Sequence, residues 1–225
     1  HDESFDGLDN DCNSRVDEEL TNVSTFCADC LFVDLSGTTD EGACTPASPC
    51  SLEDLAGHSV DSPARIYLGV PQQGGSPCAN LQPVAFDPAK LPKFNPSPGG
   101  SNVTLINGTY TFSGPTWTPC VGRANLQLSR TWMWSEGDLI LGGVELSLNG
   151  SAGAGALLSV GAGTEVQIAD TLINGSANIG PALAVASGGE LRVERSRVDS
   201  ASTGIEVAGV ARLGRNCPDL DPQGR

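Results

Sequence analysis

The chain has 225 residues and a formal charge of −15, from 27 acidic and 12 basic side chains. That balance argues against polyanionic partners such as nucleic acid and against anionic membrane surfaces. No apolar run approaches the roughly eighteen residues of a membrane helix. With 28 glycines, 15 prolines and an aromatic content of 5%, turns and small side chains dominate, as in a fold with a thin interior.

No signal peptide is visible at the start, and the chain opens on His1 and closes on Arg225, which reads as a processed or trimmed piece of a longer precursor. Eight cysteines are present: Cys12, Cys27, Cys30, Cys44, Cys50, Cys78, Cys120 and Cys217. An even number in loop-like sequence reads as a disulfide framework in an oxidising compartment, so the protein is expected outside the cell or on its surface. Cys44 and Cys50 bracket Thr-Pro-Ala-Ser-Pro and suit a local bridge; Cys78 with Cys120 would staple two long excursions. Cys27-Ala-Asp-Cys30 has redox or zinc spacing, but no second CxxC exists and the chain has 2 histidines, so a structural role is expected.

Residues 1–26 differ in composition from everything after them. Asp6-Gly7-Leu8-Asp9-Asn10-Asp11-Cys12-Asn13 packs oxygen donors at alternate positions. On a calcium loop opening at Asp9, Asp11 takes the third place, Asn13 the fifth, Arg15 the seventh by its carbonyl, and Asp17 the ninth. Leu20 stands where the closing bidentate acid belongs, so a shortened loop would close through Glu18. The run D-G-L-D-N-D-C-N-x-x-V-D-E resembles the Asp/Cys-rich metal-binding motif of secreted deltaproteobacterial and related surface proteins. It is also similar to thrombospondin type 3 and excalibur-type calcium loops. The resemblance implies bound Ca2+. Two positions depart from it: Ser14 replaces the glycine of the sharp turn, and Phe5 replaces a cysteine, which leaves Cys12 to pair with Cys27 or Cys30. The plain alternative is a solvated acidic tail.

From residue 27 to 225 a second domain is expected. Leu31-Phe32-Val33-Asp34 reads as a strand. Ser51 reads as the N-cap of a short helix, with Leu52, Leu55 and Ala56 on one side and Gly57 as its stop. Arg65-Ile66-Tyr67-Leu68 is the next strand. Insertions follow at about 70–101 and 113–124, separated by Asn102 to Phe112, which reads as strand–turn–strand about Asn107-Gly108. Asn125-Leu126-Gln127-Leu128 and Thr131-Trp132-Met133-Trp134 re-enter a strand pattern.

From Asp138 to about Gly214 the sequence repeats itself. Glu165-Val166-Gln167-Ile168 and Leu172-Ile173-Asn174-Gly175 return twenty-five residues later as Glu190-Leu191-Arg192-Val193 and Arg197-Val198-Asp199-Ser200. Three short strands per period, punctuated by Gly, Asn-Gly or Ser turns, are the signature of a solenoid. Alternation gives each strand one apolar face that only stacked copies can bury. The expected fold is all-β, a parallel β-helix. The order F-V-D, Cys-bounded S-P-C-S-L-x-x-L helix, I-Y-L strand resembles the N-terminal part of secreted pectin-lyase-like proteins. That resemblance implies a right-handed β-helix with a helix capping its open end.

Enzymes of that fold cleave acidic polysaccharides with clustered carboxylates on one long sheet. Candidates are Asp170, Glu190, Glu194, Asp199 and Glu206, with Arg192, Arg195 and Arg197. Glu165 and Glu190 fall one period apart, but their neighbours do not read as acidic and Asn174 should sit beside Asp199. Outward strand charges are ordinarily solubility devices, so no catalytic residue is assigned. Trp132 and Trp134 share a strand parity and could form a sugar-stacking platform, or pack internally. Sequons at Asn22, Asn102, Asn107, Asn149 and Asn174 include three of the form Asn-Gly-Ser/Thr, explained by turn chemistry. His58 reads as a lone imidazole at a helix end.

The expected function is a non-catalytic extracellular structural or adhesive protein, or a segment of a larger surface assembly. Its partners would be other surface proteins or a second copy at the open end of the β-helix. Alternatives are a β-helix polysaccharide lyase or glycoside hydrolase, or a relic of one, and a carbohydrate-binding module.

Overall fold

The computed structural model describes residues 30–214 except 38–41, 56, 59, 62–63, 73–82, 93, 96–102, 121–122, 150–154, 177–179 and 201. The proposed metal ligands Asp9, Asp11, Asn13, Arg15, Asp17 and Glu18 therefore lie outside the described residues, as do Cys12, Cys27, Cys78 and Cys217.

Alternation of apolar and polar residues sets the strands. In β1 (Leu31–Asp34), β3 (Ala64–Pro71), β4 (Val84–Phe86) and β6 (Val103–Ser113) the chain lays down its first extended segments, with the single helical turn α1 (Leu52–Leu55) after β1. The two-residue strands β2 (Val60–Asp61) and β5 (Phe94–Asn95) pair with each other. Next come β7 (Thr116–Pro119), β8 (Ala124–Leu128) and β9 (Trp132–Trp134). The repeat then supplies β10 (Asp138–Gly142), β11 (Val144–Leu148), β12 (Leu158–Val160), β13 (Glu165–Ala169), β14 (Leu172–Gly175) and β15 (Leu183–Val185). It continues through β16 (Glu190–Glu194), β17 (Arg197–Ser200), β18 (Ile205–Val207) and β19 (Val210–Gly214).

Apart from the β2–β5 pair and the antiparallel β7, these strands form three parallel sheets. The first runs β1-β3-β6-β10-β13-β16-β19, the second β17-β14-β11-β8-β4, and the third β18-β15-β12-β9. From β10 onward the chain visits first, second and third sheet in turn and returns to the first three times. A parallel pair needs a crossover connection, and here that crossover is the pair of strands contributed to the other two sheets.

Register stacks like on like. Leu141, Ile168 and Val193 are successive partners in the first sheet, and Leu126, Leu146, Ile173 and Val198 in the second. In the third sheet Trp134, Val160, Val185 and Val207 align. Inward side chains of all three sheets, Val207 and Leu213 of the last strands excepted, belong to or pack against one hydrophobic core. Burying each such aliphatic chain contributes about 1.5–3 kcal/mol relative to leaving it exposed.

The corner from first to second sheet turns on one residue with positive φ. Gly143, Asp170 and Arg195 occupy it in successive coils, at φ 58°, 49° and 42°. Beside Asp170 and Arg195 stands a hydroxyl that accepts or donates within the corner. Thr171 Oγ1 donates to the Ala169 carbonyl at 2.8 Å, Ser196 Oγ to that of Glu194 at 2.6 Å, and Thr171 N donates to Ser196 Oγ at 3.0 Å. Each carbonyl freed by the turn thus finds a partner.

Several expectations are corrected. Among the described residues no helix caps the end of the sheets as the resemblance implies: α1 is one turn of 4 residues, and the edge of β1 is bordered instead by the loop from Cys44 to Cys50. The N-terminus of α1 does form the expected cap: Asp54 N donates to Ser51 Oγ at 3.1 Å, and Ser51 Oγ donates to Asp54 Oδ2 at 2.7 Å. Asn107-Gly108 is not a turn. It lies inside the 11-residue strand β6, where the register against β3 shifts between Leu68 and Gly69 and a bulge absorbs one residue. The stretch at 70–101 is not wholly an excursion, because β4 joins the second sheet beside β8. That at 113–124 holds β7, antiparallel to β6 in an otherwise parallel sheet.

This hairpin brings Trp117 onto the outer face of the first sheet. There Phe32, Tyr67, Leu105, Tyr110 and Trp117 make a second core. The Trp117 ring lies 4.8 Å from that of Phe32 and 4.6 Å from that of Phe112, and its Nε1 donates to the Pro46 carbonyl at 3.0 Å. A β-carbon at Gly69 would collide with the ring, so the bulky residue and the glycine are one device.

Candidate functional site

Three acids line up on the outer face of the first sheet. Glu165 and Glu190 are register partners, as their spacing predicts. Asp138, missed because its coil is two residues longer, joins them: the Glu165 backbone N–H donates to Asp138 Oδ1 at 3.2 Å. Arg192 Nε lies 2.8 Å from Glu165 Oε1 and 3.4 Å from Glu190 Oε1, and Arg212 Nε lies 2.7 Å from Glu190 Oε1. The Arg212 hydrogen bond, aided by the charges of both arginines and opposed by burial, holds the Glu190 carboxyl below the usual glutamate range. A general acid needs a shift the other way.

At the corner, Arg195 Nη2 donates to Asp170 Oδ2 at 2.7 Å and Nε donates to Oδ1 at 3.1 Å, a two-pronged grip. Both side chains are about one-tenth exposed (11% and 10%), and Glu194 Oε2 is 4.0 Å from Arg195 Nη1. Arg123 Nε donates to the Asp170 carbonyl at 2.6 Å. The pair joins the two non-glycine residues held at positive φ in adjacent coils, and so offsets the cost of that conformation. Arg197 and Asp199 pair with each other at 2.8 Å, Asn174 is the register partner of Asp199 as expected, and Glu206 is exposed.

Trp132 and Trp134 do share a parity, but they point inward. They are 3% and 4% exposed, their ring centroids are 6.0 Å apart edge to face, and Trp134 Nε1 donates to the Gly137 carbonyl at 2.9 Å. Neither offers a ring face to a sugar. Asn107 is buried as well and donates through Nδ2 to the Tyr110 hydroxyl at 3.0 Å, so a glycan cannot be carried there in the folded state. Asn174 Oδ1 accepts from Ser176 Oγ at 2.6 Å, the turn chemistry expected of it.

Cys44 and Cys50 form the expected local disulfide, and no described cysteine is free. With His58 they make the one group of three Cys, His, Asp or Glu ligand atoms mutually within 4.8 Å among the described residues. As a disulfide the sulfurs are not thiolates. Once reduced, two sulfurs and an imidazole could hold a metal such as zinc, a donor set unsuited to calcium. A cavity of about 260 Å³ lies between α1 and β4, lined by Leu52, Leu55, Phe86 and Leu91 with the Glu53–Lys90 ion pair (2.8 Å). That is below the range of roughly 300–1,000 Å³ typical of ligand pockets. No protein-family model, curated protein or solved structure matches this chain.

Proposed function

We propose that the protein is a non-catalytic structural or adhesive element of the cell exterior, built as a right-handed parallel β-helix closed around the shared core. One observation carries this reading. On the face where a β-helix enzyme would keep reactive acids, Glu165 and Glu190 are tied down by Arg192 and Arg212 from the same ladder. Such a face gives the sheet a laced, solvated surface. The Cys44–Cys50 disulfide suits an oxidising compartment, and among the described residues no helix is long and apolar enough to cross a membrane.

In this proposal residues 1–26 form a separate loop that binds Ca2+ through Asp9, Asp11, Asn13, Arg15, Asp17 and Glu18. Melting with and without a chelator tests it, and an unchanged midpoint removes the metal. A polysaccharide lyase or hydrolase is the second reading, favoured only by the stacking of Asp138, Glu165 and Glu190. Product release from pectate, alginate and neutral glycans decides between the two: sustained turnover overturns the scaffold, and none is expected.

A further inference from the structure

β17, β18 and β19 are each last in their sheet, and among the described residues nothing pairs with their outer edges. Here inward positions lose their cover. Leu213 is 66% exposed and Val207 47%, although their register partners Val193 and Val185 are buried. Val198, Ile205 and Ala211 are only partly buried against the core. The opposite end differs. There the edge of β1 is occupied by the Cys44–Cys50 loop: Phe32 N donates to Cys44 O at 2.9 Å, Asp34 N to Cys50 O at 2.8 Å, and Cys50 N to Phe32 O at 3.0 Å. A head-to-tail stack would need that edge free.

We propose that the β17–β18–β19 end binds the same end of a second copy of this chain, about a two-fold axis through Val198. Such an axis sets β17 antiparallel to its own copy and exchanges the other two sheets, so that β18 meets β19. Arg197 then faces Asp199 of the second copy, and Val198 faces Val198. In the other sheets Ile205 faces Leu213, Glu206 faces Arg212 and Val207 faces Ala211. Side chains directly opposite in antiparallel strands lie on one side of the sheet. Parity therefore matches throughout: the inward pairs are all apolar and continue the core, and the outward pairs are all of opposite charge. The axis covers the two most exposed inward residues and seals three open edges at once. It deepens the scaffold reading without depending on the absence of catalysis.

Sedimentation equilibrium of the full chain over a wide concentration range tests the proposal, with folding of each variant checked by circular dichroism. A monomer–dimer equilibrium is expected. Arg197→Asp, at an exposed position, places like charges opposite each other twice and should weaken dimerisation roughly tenfold or more. The swap Arg197→Asp with Asp199→Arg restores both the pair within the chain and the pair across the axis, and should restore the dimer. Leu213→Lys should abolish it. A monomer at every concentration overturns the proposal. So does a dimer indifferent to Leu213→Lys and Arg197→Asp, or one lost only on deleting residues 215–225. Turnover by an intact dimer would sink the scaffold reading alone; a monomer without turnover would sink this inference alone.

Discussion

A charged side chain on this surface acquires its meaning from the coil above or below it. Glu190 faces no special partner in its own strand except Arg192, but Arg212, one coil on, supplies its shortest contact (2.7 Å). The consequence for pH has a definite sign. A carboxyl whose folded value is lowered contributes stability that is full above its unfolded value and is lost as pH falls through the folded value. For Glu190 that window opens below the ordinary 4.5. A carboxyl titration followed by NMR should place Glu190 below that value, and Arg212→Ala should move it up. The buried pair at the corner has larger stakes. Asp170→Asn keeps a residue tolerant of positive φ but removes the carboxylate that Arg195 grips with two prongs, at a cost of about 3 kcal/mol in urea denaturation. Conserving the charge with Asp170→Glu tests the geometry instead: the longer chain is poorly accommodated at φ 49°, and a loss of about 1–2 kcal/mol is expected.

At the scale of an element, edges and corners matter more than strand interiors. The loop from Cys44 to Cys50 borders β1 through backbone hydrogen bonds and is closed by its disulfide. Replacing both cysteines by serine should lower stability by about 2 kcal/mol, the loop being short. It should also release the edge it covers, and faster amide exchange at Phe32 and Asp34 would report that. Trp117 is the counterpart on the outer face. Trp117→Ala should cost about 3–5 kcal/mol, because the space over Gly69 and beside Phe32 and Phe112 cannot close. Sequence reading marked this stretch as an insertion. Its role as an antiparallel flap was illegible because the residues it packs with, Phe32 and Tyr67, are distant in the chain.

Across the whole molecule, stability should vary with position along the stack. Ile168 sits in a column with neighbours on both sides, so Ile168→Ala should cost about 3 kcal/mol. Leu213 occupies the corresponding inward site in the last strand of the first sheet, where no described strand lies beyond. At concentrations that keep the chain monomeric, Leu213→Ala should change stability by no more than about 0.5 kcal/mol. The difference between the two, read from the same denaturation series, measures how much of the core depends on a coil above. Sequence alone determined the strands of the repeat from Asp138 to Gly214 and their parallel stacking, and it marked Cys44 and Cys50 as suited to a local bridge. Those follow from period, alternation and short spacing, which are local quantities. Only the tertiary structure decided which face of Trp132 and Trp134 is inside, that Asp138 joins Glu165 and Glu190, and that Arg195 reaches Asp170 at a positive-φ corner. Each of these depends on register between coils of unequal length, and a shift of one residue would exchange inside for outside.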